Sequence, residues 1–401
     1  MANNSVSGNS KAIPRNRARH VWAFLSVILI TVMLRPAVSG VGPILGDIAT
    51  SLKLSGTQTS LLASMPVLCF GLGAFASPWL AKRLGLTKSF TLVLVLLTAG
   101  IALRPWFGFT FLLIASLVVT LGIAVSNVLF PSMIRAEFPN NIARMTALYT
   151  TLLAIFASLA ATVAVPLEQW LGGWQGSVFF WATPGVLAIF AWLMTARQVE
   201  QAKPETIKVT TSDRHVWMHP ITWSLVGFFG LQSMNFYCVL NWLPGVLQER
   251  GFNQAQAGGL LGLVTVVGVP FGMLITANLK RFKNTSILAL VISLVTASGL
   301  FMLLGPGALA VTGGIVTGLG LACSFPLALA LIALKAHNEQ QTTLLSTVAQ
   351  GVGYLIAAVG TFAMGLSFSV TGNWQSGILF LAVSALVQAA IGLYAGSKHT
   401  L

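Results

Sequence analysis

Long apolar runs alternate with short polar breaks along the whole 401-residue chain. The runs fall at about 21–46, 57–81, 88–104, 108–134, 145–167 and 175–196. After a polar stretch they resume at about 221–247, 256–279, 285–304, 307–334, 342–367 and 375–396. Most reach the roughly 20 residues that a helix needs to cross the hydrocarbon core of a bilayer. Helices satisfy their own backbone polar groups there, which open strands cannot. The pattern predicts an all-α membrane protein of twelve transmembrane helices in two six-helix bundles. The expected organisation is a tail over 1–20, a first bundle over 21–196, a loop over 197–220, a second bundle over 221–396 and a short tail over 397–401.

Composition agrees with this reading. The chain is 56% hydrophobic and 7% charged, where a soluble domain carries about 25% charged residues. A net charge of +14 raises the thought of nucleic acid, but the basic residues sit in short loops, as the positive-inside rule expects of a protein whose partner is the lipid bilayer. With both termini cytoplasmic, only Lys53, Arg104 and Arg250 of the 22 Lys and Arg fall outside, and Arg35 lies within a span. The opposite topology would invert that bias. Both ends are therefore expected in the cytoplasm, with the chain a multi-pass protein of a bacterial-type inner membrane. Residues 1–20 are polar and basic without a cleavage pattern, and are expected as a tail rather than a signal peptide. Cys69, Cys238 and Cys323 lie in apolar runs and read as small packing residues. There is no phosphate-cradling Gly-Lys-Ser/Thr run, no His/Cys metal cluster and no pair of carboxylates in the sequence. No enzyme, no metal and no cofactor is expected, and a single copy is expected to suffice.

One charge stands out. Thr31 to Gly42 reads Thr-Val-Met-Leu-Arg-Pro-Ala-Val-Ser-Gly-Val-Gly, and places Arg35 near the middle of span one. A charge at that depth costs roughly 2.5–3.5 kcal/mol on insertion scales. None of the eight carboxylates falls at mid-membrane, so Arg35 has no evident counter-ion. Its fork of donors suits a small planar anion. The competing reading is a brace that ties helices through carbonyls. Pro36 removes a backbone hydrogen bond and predicts a kink beside it.

The two halves echo each other. Lys82-Arg83 recurs as Lys280-Arg281, Trp174-Gln175 as Trp374-Gln375, and Pro43 as Pro244, at offsets of 198, 200 and 201. This implies two pseudo-symmetric bundles with a site near the midplane between them, the arrangement of the major facilitator fold. The counterpart of Arg35 then falls near Asn235, Phe236 and Tyr237. Gln232, Asn235, Val239 and Trp242 share one helical stripe. In span eleven Gln350 and Tyr354 lie one turn apart on one face, and Asn127 is isolated in an apolar span four. Each amide reads either as a ligand contact or as interhelical glue, worth roughly 0.6 kcal/mol. Trp242 reads equally as an interface anchor, Tyr149 as a headgroup-level aromatic, and Arg104 and Trp106 as surface anchors.

Several segments resemble the cyanate and 2-nitroimidazole permease family of the major facilitator superfamily. They are Met33-Leu34-Arg35-Pro36 with Gly42-Pro43, LGIAVSNVLFPSMIRAEFP at 121–139, FYCVLNWLPGVL at 236–247 with GFNQAQAGGL at 251–260, and LLSTVAQGVGYLIAA at 344–358. The loop after span two departs from the broader superfamily, with Lys82 where an acid is usual. The resemblance implies a secondary transporter for a small polar or anionic solute, cyanate-like or nitroimidazole-like, working by alternating access. Arg35 would bind the anion, and Asn127, Asn235, Tyr237, Gln350 and Tyr354 would supply hydrogen bonds or stacking surface. The shortage of embedded acids points to uniport, exchange or a proton carried on the substrate. Two other readings stay in view: a drug/proton antiporter, which would be expected to hold an intramembrane acid, and a transporter-like membrane sensor, which would need a longer reporting segment.

Overall fold

A computed structural model of the chain describes residues 17–196, 217–278, 281–282, 284–336 and 339–397. Residues 1–16, 197–216 and 398–401, with His215 and His399, lie outside these residues, as does His337; the end of the expected tail, from Arg17, already belongs to the first helix. Among the described residues all regular structure is helical. The helices fall where the apolar runs predict them, and together they make the expected twelve spans.

Span one is broken. A helix over Arg17–Leu34 stops at Arg35, a four-residue turn covers Pro36–Ser39, a 3-10 turn covers Gly42–Ile44, and Leu45–Ser51 completes the crossing. Pro36 has no N–H to continue the first helix. The Arg35 carbonyl instead accepts from the Ser39 N–H at 2.9 Å and the Ser39 hydroxyl at 3.0 Å. The predicted kink is thus an interruption directly at the charged residue.

Spans two and three run as one helical stretch over Gly56–Leu103, cornered at Gly85 with φ 75° and ψ 163°. That conformation is open to glycine and strained for other residues. The Ser89 hydroxyl closes the corner by donating to the Leu80 carbonyl at 3.2 Å. Spans four and five are Gly108–Glu137 and Ile142–Trp170. Span six comes in two pieces, Trp174–Phe180 and Ala182–Ala196. The second half follows as Pro220–Glu249, then Gln254–Val267 continued by Val269–Asn278, then Thr285–Met302, Gly307–Lys335, Glu339–Thr371 and Gln375–Ala395.

The duplication extends to local capping. Ser55 and Gln58 form a reciprocal capping box at the start of span two. Asn253 and Gln256 form the same box at the start of span eight, at the offset of 198 that also separates the Lys-Arg pairs. Each box satisfies two orphan backbone donors.

Among the described residues ten stretches are long and apolar enough to cross a membrane. Span seven is not among them, because Gln232, Ser233, Asn235 and Asn241 dilute its hydropathy. All four are buried, so their polarity faces protein. Large apolar side chains such as Val186, Val359 and Val370 are more than half exposed instead, as expected where lipid is the outer solvent.

The halves meet at several helix pairs. Span one meets span seven at Gly42, where an added Cβ would lie 2.4 Å from the Leu240 carbonyl oxygen. Span five meets span eight, with the Ser158 hydroxyl donating to the Gly262 carbonyl at 2.7 Å. Span two meets span eleven, where Gly56 lies against Ser369 and Gly71 against the Gly351 carbonyl. Glycine and serine at these contacts let the backbones approach closely.

Candidate functional site

The break in span one leaves Arg35 at the centre of the molecule, between the two halves. It is partly accessible there, unlike its neighbours Leu34 and Pro36, which are buried. Three of the four tyrosines surround it. Tyr237 of span seven is in hydrogen-bonding contact with the guanidinium, and Tyr354 of span eleven and Tyr149 of span five interact with it electrostatically. No carboxylate acts on it among the described residues. Phenol oxygens accept hydrogen bonds and aromatic faces attract cations, so the three rings partly replace the water that the charge has lost.

The rings form an aromatic box of two clusters, one on either side of Arg35. Phe70 of span two lies 5.8 Å, centroid to centroid, from both Tyr237 and Tyr354. Tyr354 also meets Phe229 edge-on at 5.1 Å. Tyr149 stacks on Phe130 at 4.0 Å and donates its hydroxyl hydrogen to Asn127 Oδ1 at 2.9 Å. Its proton is thereby directed away from Arg35, which leaves a lone pair for the cation. Walls therefore come from spans one, two, four and five on one side and seven and eleven on the other. The box offers ring faces and one fork of hydrogen-bond donors.

The structure gathers Arg35, Asn127, Tyr237 and Tyr354 around this box. Gln350 sits one turn from Tyr354, partly accessible, with its amide nitrogen donating to Ser346 Oγ at 2.6 Å. Asn235 is not brought to the box. It is fully buried and accepts from Ser384 Oγ of span twelve at 3.0 Å, while its Nδ2 has no partner. Two residues along a helix turn the side chain by roughly 200°, so Asn235 and Tyr237 cannot face one cavity. The polar stripe of span seven thus packs inward on its own half. Trp242 belongs to that face, buried and donating to the Thr361 carbonyl at 3.1 Å, so it is not an interface anchor.

Two other expectations are overturned. Tyr149 is 7% exposed and part of the box rather than a headgroup-level aromatic, because span five starts at Ile142 and carries it two turns inward. Arg104 is 4% exposed rather than a surface anchor. Its Nη1 donates to the Ala37 carbonyl at 3.1 Å. Trp106 is 54% exposed, as an anchor should be. The three cysteines are free and buried.

The far end from the basic loops is sealed by polar contacts across the halves. Gln254 of span eight donates to Asp47 Oδ2 and, at 3.2 Å, to the Pro43 carbonyl, both in span one. The Glu168 carboxyl of span five lies beside that of Asp47. The sequence offered no sign of this pair, since its members lie in different spans.

Twelve spans in two related halves, with a polar box between them, define the architecture of a membrane transporter. The chain belongs to the Major Facilitator Superfamily, whose family profile matches residues 27–361. It is 34% identical over 370 residues to a 2-nitroimidazole transporter of Escherichia coli (strain K12), covering 92% of this chain and 94% of that one. It is 31% identical over 357 residues to the cyanate transport protein CynX of the same strain, covering 87% and 91%. Among solved structures it is similar to a bacterial homolog of the human lysosomal transporter Spinster in an inward-facing, occupied conformation, with TM-score 0.80, 13% identity, and 95% and 97% of the two chains covered. It is also similar to a D-xylose-proton symporter, with TM-score 0.75, 15% identity, and 96% and 99% covered.

Proposed function

We propose that this protein carries a small, planar, anionic or polar solute of the cyanate or 2-nitroimidazole kind, bound at Arg35. The observation that carries the reading is a guanidinium at the centre of the molecule, ringed by tyrosines and without an acidic partner. A buried cation with no counter-ion is completed by an anion that arrives with the substrate. Asn127 and Tyr149 form one side of the box and Tyr237 and Tyr354 the other, so a rocking motion of the halves would expose and enclose the solute in turn. Gln350, one turn from Tyr354, would meet the solute on its way in or out. The relatives' names support this class of solute.

The bias of Lys and Arg supports cytoplasmic termini in an inner membrane. On that orientation the Gln254–Asp47 seal closes the outer face. The box holds no acid, which favours uniport, exchange or a proton carried on the solute.

The test is uptake of labelled cyanate and of a 2-nitroimidazole into proteoliposomes. Wild type is expected to equilibrate at least one of them, and Arg35→Gln to lose about two orders of magnitude in rate, as the loss of a charge-assisted bidentate contact implies. A folded Arg35→Gln protein that transports as well as wild type overturns the reading.

A further inference from the structure

The break in span one costs its backbone a hydrogen bond, and a side chain from another span replaces it. In a continuous helix the Val41 N–H would reach the Ala37 carbonyl. Here the turn tightens, and Val41 donates to the Val38 carbonyl at 3.3 Å. Arg104, at the end of span three, takes the vacated place: its Nη1 donates to the Ala37 carbonyl at 3.1 Å. A buried carbonyl without a partner costs about as much as a lost hydrogen bond, so this contact helps the chain to stay broken here.

Span three also holds the other side of the break. The Thr98 hydroxyl donates to the Met33 sulfur at 3.4 Å. Met33 precedes Arg35 by two residues and Ala37 follows it by two. Thr98 and Arg104 thus bracket Arg35 from one helix. All four bracketing residues are buried, so the bracket belongs to the packed interior of the first half.

Packing alone does not account for an arginine at this place. Arg104 is buried, and no carboxylate acts on it among the described residues. Its Nε–H has no partner, so the Ala37 carbonyl is the hydrogen-bonding contact that fixes it. An apolar side chain would fill the space without taking a charge out of water. What the guanidinium adds is its hold on the backbone two residues from Arg35. From Ala37 the chain leads on to Gly42, against the Leu240 carbonyl, and to Pro43, whose carbonyl accepts from Gln254. The anchored segment therefore joins Arg35 to the contacts with the second half.

We propose that Arg104 is a positioning residue for the transport site: by holding the Ala37 carbonyl it keeps span one broken and aims the Arg35 guanidinium into the box. The proposal rests on the reading of Arg35 as the solute-binding residue, and on no particular solute.

The test is a double-mutant cycle on uptake of labelled cyanate and a 2-nitroimidazole into proteoliposomes. Arg104→Met keeps an unbranched side chain and removes every donor. It should lower kcat/KM about tenfold, the order of one hydrogen bond from a charged group. The loss should disappear where aim no longer matters. Arg35→Lys supplies that background, because an ammonium on a flexible stem has no fork to orient; there Arg104→Met should cost less than about twofold. A loss of folded protein alone would lower uptake by the same factor in both backgrounds, so equal losses overturn the proposal and leave the central site standing. An Arg104→Met protein that transports as well as wild type does the same. If Arg35→Lys and Arg35→Gln both transport as well as wild type, the central site falls and the positioning role falls with it. Should Arg104→Met fail to fold, Arg104→Lys takes its place. It keeps a donor for the carbonyl on a shorter arm, and should cost about threefold in the wild-type background and nothing measurable beside Arg35→Lys; equal losses again overturn the proposal.

Discussion

The centre of the molecule and its sealed end solve opposite problems with similar polar groups. At the centre a cation has no acid acting on it among the described residues and is ringed by tyrosines. At the sealed end Gln254 crosses from the other half to hold Asp47 and the Pro43 carbonyl, with the Glu168 carboxyl beside Asp47. The first arrangement leaves its main charge open to a ligand. The second satisfies itself internally and breaks only when the halves part. A transporter needs both: a site whose best partner is the cargo, and a barrier whose partners are its own residues.

The comparison breaks most completely at Arg35. Arg35→Gln is expected to cost about 100-fold in kcat/KM for uptake while leaving the seal untouched. The matching blow to the barrier is Gly42→Val, since the first added carbon would sit 2.4 Å from the Leu240 carbonyl oxygen. Spans one and seven must then separate. Spin labels at Thr50→Cys and Ala255→Cys, exposed positions on either side of the seal, should report a longer distance in most molecules; an unchanged distance distribution would show that the seal does not depend on that approach.

Smaller changes sharpen the contrast. Tyr237→Phe keeps the ring of the box but deletes the oxygen that contacts Arg35. One hydrogen bond to a charged group is worth about 1.5–3 kcal/mol, so uptake should fall by roughly 10- to 100-fold in kcat/KM, with the spin-label distance unchanged. Gln254→Leu removes two donors' worth of contact from the seal and should shift the open-to-closed ratio about 5- to 10-fold, roughly 1–1.4 kcal/mol. The same labels would read it, and a shift below twofold would count against Gln254 as the latch. The smallest effect on transport is expected at Asn235. Asn235→Ala should leave KM unchanged and lower thermal stability by about 1 kcal/mol, because it loses only the Ser384 contact. A large rise in KM would return Asn235 to the solute site.

How far the site is legible in the sequence depends on the kind of signal. Arg35 is legible because a charge in an apolar run is expensive wherever the chain puts it. Tyr354 and Tyr237 are reachable through helical spacing and the internal duplication. Asn235 misled because periodicity shows which residues share a face and leaves open which face turns to the partner half. Tyr149 was hidden by a boundary: its span starts at Ile142, and a shift of about a turn separates a headgroup-level aromatic from a box residue. Its one available signal was scarcity, since the chain has four tyrosines and three converge here. Phe70 carried no signal in a chain with 24 phenylalanines.

The sequence by itself determined the twelve spans, the duplication and the exceptional place of Arg35. Those follow from one-dimensional physics: run length against bilayer thickness, spacing along a helix, and the cost of a charge in hydrocarbon. Only the tertiary structure decided which aromatic rings meet that charge, that Arg104 is buried against the Ala37 carbonyl, and that Gln254 reaches Asp47 and Pro43 across the halves. These groups come from helices far apart in the chain. Their meeting is set by how the two bundles rotate and pack, and no local pattern encodes that rotation.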